Sequence, residues 1–346
     1  MPTDPVGTPT DPVGTPTDPV GTPTPGDGVV PTCFDAAVVA TVRELGRTAS
    51  VEVLPGQLAT VDASAYLPSG TAVYVPYPPG APWQDTVAAC RHLRAAGMCP
   101  VPHLTARSVR DPADLRARLA QLAEAGVDRL LLVAGDGDRA GRYRDTPDVL
   151  ESGLLAEYGF DRLGVAAHPE GHPLVEPADL ERALARKVEY AAAQGASMWI
   201  VTQFGFAPAA TAAWLLKLGA AGFPLRVRVG MAGPARLSAL LGFAAKCGVR
   251  TTARLVSRRP GTVRLFGRYA PDEFVEGMAR HVVETPDSPL SGVHLFGFGG
   301  IRDTSRWLRA VSGERERIAE HVDRAPHRVA VGDVPTHQPL GERHGS

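Results

Sequence analysis

Cysteine is scarce in this chain: four residues in 346 (Cys33, Cys90, Cys99 and Cys247), with no Cys-x-x-Cys pair. That argues against a disulfide framework or a cysteine-based structural zinc site, and it fits reduced thiols in the cytoplasm. A charge of one sign is missing as well. The 36 Lys and Arg and 37 Asp and Glu leave a net charge of −1, with the two signs interspersed. No basic stripe is available to neutralise successive phosphates, so nucleic acid is not an expected partner. No apolar run approaches the roughly 20 residues that span a bilayer, so no membrane partner is expected. The first residues have neither the basic nor the apolar region of a secretory signal. Aromatics are only 6% of the chain, yet 44% is apolar, enough for one large core.

What is present falls into three parts. Residues 2–22 are three copies of Pro-Thr-Asp-Pro-Val-Gly-Thr, and a fourth copy decays by Gly28. Proline at this density forbids helix and little there can pack, so 1–30 is expected to be disordered. A Pro-, Gly- and His-rich tail is expected over 325–346, leaving 31–324 as the folded domain. Within it, apolar runs at 50–54, 71–75, 99–104, 129–134, 162–167, 198–204, 225–230 and 292–298 predict strands. Between them, segments of helical period include 83–97, 112–126, 177–195, 208–221, 234–248 and 271–285. Asp111-Pro112 reads as an N-cap with proline at the first helical position, and Gly126 and Gly195 fall where helices should stop. Eight strands alternating with helices predict an α/β fold, a single (β/α)8 TIM barrel. A doubly wound sheet is disfavoured because no Gly-x-Gly-x-x-Gly turn follows the first strand.

In such a barrel the site is built at the carboxyl ends of the strands. Those ends carry Glu52, Tyr74, His103, Asp136, His168 with Glu170 and His172, Gln203, Met231 and the stretch Phe296–Gly300. Glu52 interrupts an apolar strand. It is either a partly exposed strand residue or a carboxylate in an apolar mouth, where burial disfavours its charge and suits it to proton donation. Asp136, in Gly135-Asp-Gly-Asp138, could belong to a Mg²⁺ site but reads more simply as a turn. His168 and His172 have the spacing of a helical zinc pair. Pro169 and Pro173 make a helix there untenable, so no metal is expected and the imidazoles are available to a cofactor's phosphate or ribityl oxygens. Gln203 ends a buried strand, where an amide needs a partner; it offers a donor and an acceptor, as a pterin does.

Four segments taken together, in order, resemble the methylenetetrahydrofolate reductase family: Ser50-Val-Glu-Val-Leu-Pro55, Pro102-His-Leu-Thr105, Leu131-Leu-Val-Ala-Gly-Asp136, and Gly164-Val-Ala-Ala-His-Pro-Glu-Gly-His-Pro173 with Arg186-Lys187 and Ile200-Val-Thr-Gln-Phe204. The resemblance covers roughly residues 48–310. It implies a (β/α)8 barrel that binds FAD and reduces 5,10-methylenetetrahydrofolate to 5-methyltetrahydrofolate with NAD(P)H. It further implies that Glu52 is the general acid, that Asp136 tunes flavin and pterin, and that Gln203 grips the pterin. His103, Gly135, Asp136, His168, His172, Arg186 and Lys187 would line the flavin. The chain departs from the family pattern mainly on the flavin side. Ala134 stands for an arginine, His168 for a tyrosine and Ala183 for an asparagine, and the second strand runs into Val75-Pro-Tyr-Pro-Pro79. Three other readings are therefore carried forward: direct hydride transfer from NAD(P)H without flavin, a non-redox folate-binding barrel, and a hydrolase with zinc on His168 and His172. About 35 residues follow the last matching stretch, so no appended S-adenosylmethionine-responsive domain is expected. Homo-oligomer formation is left open by the sequence.

Overall fold

A computed structural model describes residues 33–135, 137–172, 175–246 and 267–314. The heptapeptide repeat, the 325–346 tail, Asp136, Pro173 and Cys247 lie outside the described residues. Eight parallel strands close into a barrel: β1 (Ser50–Glu52), β2 (Ala72–Val75), β3 (Cys99–Thr105), β4 (Leu130–Val133), β5 (Arg162–Ala167), β6 (Ser197–Thr202), β7 (Arg226–Ala232) and β8 (Leu290–Phe296). Each strand pairs with its sequence neighbours, and β8 returns to β1 with Glu52 opposite Phe296. Every predicted strand is present, because strands covered on both faces must be apolar almost continuously.

The outer ring contains α1 (Cys33–Arg47), α2 (Trp83–Ala95), α3 (Pro112–Glu124), α4 (Pro177–Gln194), α5 (Pro208–Ala220), α6 (Leu237–Lys246), α7 (Asp272–Glu284) and α8 (Ile301–Val311). Helix starts are set locally. Asp111 Oδ1 accepts from the Asp114 amide at 2.9 Å, and Pro112 occupies the first turn, where no amide donor is needed. Gly195 ends α4 in the left-handed region at φ 64°. Helices α1 and α8 were not among the predicted helices; they pack on each other, and α1 also packs on α7. The fourth crossover, also without a predicted helix, is made of two short helices, Thr146–Leu150 and Leu154–Glu157.

The larger core lies between the sheet and the helices. A smaller one fills the barrel interior, with Tyr74, Val101, Leu131 and Val201 packed against Trp199. Gly164 on β5 makes room for that indole: a Cβ there would lie 2.9 Å from the Trp199 ring and 3.0 Å from Leu131. Gly164→Ala should therefore destabilise by about 1–3 kcal/mol, the usual cost of overpacking a filled core. A urea midpoint equal to that of the parent protein would refute this packing.

Candidate functional site

A cavity of about 1840 Å³ opens at the carboxyl ends of the strands and brings together Glu52, His103, Gly135, His168, His172, Arg186, Lys187 and Gln203. At its floor the Glu52 carboxylate is not isolated, as the apolar strand had implied. Its Oε2 lies 3.5 Å from His103 Nε2 and 3.8 Å from His294 Nε2. Both imidazole nitrogens are buried and lack a hydrogen bond, so Glu52 is within ion-pair range but beyond good hydrogen-bond geometry. Burial pushes His103 down to about 4, against the opposing pull of Glu52. Burial likewise lowers His294, again against Glu52. Both rings are thus neutral near pH 7.

His294 was missed by sequence reasoning. It sits inside β8, in Gly292-Val-His-Leu-Phe296, and is fully buried. The argument that singled out Glu52, a titratable group interrupting an apolar strand, would have found it. On its other side His294 Nδ1 is 3.0 Å from Ser50 Oγ, and that hydroxyl also reaches the Val293 carbonyl at 3.4 Å. The Tyr74 ring packs edge-on against His294 at 4.4 Å, and its hydroxyl accepts from Trp199 Nε1 at 2.9 Å. Burial pushes the Tyr74 phenol up to about 12, so it stays neutral. The floor is thus a polar cluster inside an apolar barrel, running through Ser50, His294, Glu52 and His103.

Gln203 follows β6 and is half-buried. Its Oε1 accepts from the Phe204 amide at 3.0 Å, which occupies one side of the acceptor and leaves the Nε2 hydrogens without a partner among the described residues. The donor half is therefore what Gln203 chiefly offers a ligand. Beside it, His168 and His172 pack edge to face at 5.0 Å. Burial lowers His168 to about 4, with His172 and Lys187 adding to the effect.

The expected cationic wall is only partly available. Lys187 is buried, its Nζ is 3.4 Å from the Ala166 carbonyl, and burial pushes it down to about 8 against the pull of Asp145. Arg186 is paired with Glu151, 35 positions earlier in the chain, at the exposed edge of this wall. Arg107, which the sequence reading passed over, also lines the cavity. Its Nη1 donates to the Gly135 carbonyl at 3.2 Å and its Nε to the Arg144 carbonyl at 3.1 Å. Among the described residues, no group of three or more His, Cys, Asp or Glu side chains is placed to hold a metal ion, and no helix is long and apolar enough to cross a membrane.

No protein-family model matches the chain. Among solved structures, the chain is similar to an uncharacterized protein from Clostridium thermocellum that binds two copies of 5-methyl-5,6,7,8-tetrahydrofolic acid. The TM-score is 0.50 at 10% identity, over 81% of this chain and 99% of that one. What the likeness shows is the fold. Dihydropteroate synthase from Thermus thermophilus is also similar, over 78% of this chain and 93% of that one. At 15% identity and a TM-score of 0.37 it is too distant to carry an argument.

Proposed function

We propose that the cavity binds a reduced folate and that the protein reduces 5,10-methylenetetrahydrofolate to 5-methyltetrahydrofolate with NAD(P)H. The observation that carries this reading is Glu52, held at the cavity floor 3.5 Å and 3.8 Å from two neutral imidazoles. The barrel likeness to a protein that binds 5-methyltetrahydrofolic acid supports it.

In this reading Glu52 gives a proton to N10 of the substrate. The bond from the bridging carbon to N10 then breaks, leaving an N5 iminium. A hydride that originates on NAD(P)H adds to that carbon and makes the methyl group, and NAD(P)⁺ departs. Ser50 and His294 offer the proton a second resting place. When the Ser50 hydroxyl donates to His294 Nδ1, the Nε2 hydrogen faces Glu52. When it turns to Val293, Nε2 becomes an acceptor for a protonated Glu52. Gln203 presents its amide hydrogens to the pterin. Asp136 keeps the tuning role that the family resemblance implies.

FAD, when bound, would supply hydride carriage between NAD(P)H and the folate. The buried Lys187 ammonium, 3.4 Å from the Ala166 carbonyl, would hold a phosphate of such a group, and His172 lines the same cavity. A specific observation favours the flavin-free alternative: Arg186 is already paired with Glu151, and His168 and His172 pack on each other. Direct transfer from a nicotinamide bound beside the folate then needs fewer contacts from this wall.

The test is NAD(P)H oxidation that depends on 5,10-methylenetetrahydrofolate, with 5-methyltetrahydrofolate formed mole for mole. Purified protein with a visible flavin band indicates the relay; turnover by colourless protein indicates direct transfer. Absence of turnover with either nucleotide, with and without added FAD, refutes the reductase assignment.

A further inference from the structure

Glu170 sits in the loop after β5, between His168 and His172, and the proposed chemistry does not use it. Its side chain reaches out of that loop into the next one. Oε1 accepts from the Phe206 amide at 3.1 Å and from the Ala207 amide at 3.3 Å. Helix α5 starts there without help of its own: Ala207 supplies no side-chain cap, and Pro208 has no amide hydrogen. Glu170 thus ties down, from a different loop, the two amides that lead into α5, with its carboxylate near the positive end of the helix dipole.

The fit leaves little slack. A Cβ on Gly205 would lie 2.6 Å from Glu170 Oε1. The Gly205 amide donates to the Gly230 carbonyl at 3.2 Å, and Phe206 packs edge-on against Phe204 at 5.7 Å and Tyr269 at 5.7 Å. The direction of residues 204–207 is therefore set by Glu170 on one side and by β7 on the other. That direction aims the Phe204 amide, which in turn holds Gln203 Oε1.

We infer that Glu170 is a positioning residue for ligand recognition: it fixes the 203–207 loop so that the Gln203 amide hydrogens face the cavity. The inference rests on the folate reading for its ligand, but the loop geometry stands without it. The probe is 5-methyltetrahydrofolate, titrated into the full chain. Glu170→Ala should weaken its binding about tenfold, since two charge-assisted hydrogen bonds are lost. Glu170→Gln keeps an acceptor oxygen and should bind within about twofold of the parent protein. Gly205→Ala displaces the carboxylate and should resemble Glu170→Ala. In a Gln203→Ala background, Glu170→Ala should add no further loss, because the two residues act as one unit.

Unchanged binding in Glu170→Ala, or a loss that simply adds to that of Gln203→Ala, overturns the inference. If the parent protein does not bind the folate at all, the folate reading fails, and hydrogen exchange decides the loop claim on its own. Exchange at the Phe206 and Ala207 amides should be faster in Glu170→Ala and unchanged in Glu170→Gln. Equal exchange in all three proteins overturns it.

Discussion

Glu52→Gln should slow folate reduction by about 10²–10⁴, the span that general acid catalysis usually contributes, while leaving 5-methyltetrahydrofolate binding nearly intact. The substitution keeps the size and shape of the side chain and removes only the ionisable proton. It should hardly disturb the floor, because His103 and His294 are neutral and face an amide as readily as a carboxylate. The loss belongs in kcat rather than in affinity, since N10 protonation occurs on the way to the transition state. Steady-state assays with a parallel binding titration separate the two. Normal turnover by Glu52→Gln would remove Glu52 from the mechanism; loss of binding together with loss of turnover would make it a binding residue instead.

Acidification should destabilise the protein well before its carboxylates protonate. His103 and His168 both fall from 6.5 to about 4 on folding, in each case mainly through burial. Between those two values the unfolded chain binds protons that the folded chain does not. Their contribution is therefore complete above about 6.5 and is lost as pH falls toward 4, on the order of 3 kcal/mol for each imidazole. That is a large part of an ordinary domain's stability. The aspartates act in a lower window: hydrogen bonds from Arg129 and Arg144 hold Asp128 and Asp148 below 3.8, so they matter only in stronger acid. Urea midpoints should hold between pH 7.5 and about 6.5 and then fall toward pH 4.5, with a shallower fall in His103→Asn. A flat profile across that range would mean that these imidazoles are not held neutral by burial.

The fold could be read from the sequence because a parallel barrel imposes a simple pattern. Each strand is covered on both faces, so runs such as 129–134 and 198–204 stand out as apolar segments between helical ones. Helices α1 and α8 did not stand out, since they bracket the barrel rather than alternate with its predicted strands. The site was partly readable for the same reason. Glu52, His103 and Gln203 break apolar runs at strand ends, and the closed barrel gathers them in one cavity. His294 lies within a strand rather than at its end, so a strand-end criterion passes over it, although it interrupts an apolar run as Glu52 does. Arg186 shows the opposite limit. Its charge was visible, but its pairing with Glu151 depends on how α4 packs near the fourth crossover, which local sequence does not encode. Glu170 was visible as a strand-end acid, yet its contacts with Phe206 and Ala207 arise only when two loops meet.

The measurement closest to the central claim is an equilibrium titration of the purified full chain with 5-methyltetrahydrofolate, followed by tryptophan fluorescence or calorimetry. Trp199 reports on the barrel interior and Trp214 on the cavity wall. The account predicts saturable binding, weakened about tenfold by Gln203→Ala and competed by 5,10-methylenetetrahydrofolate. Absence of saturable binding up to millimolar ligand, or binding indifferent to Gln203→Ala and uncompeted by the methylene form, would contradict it.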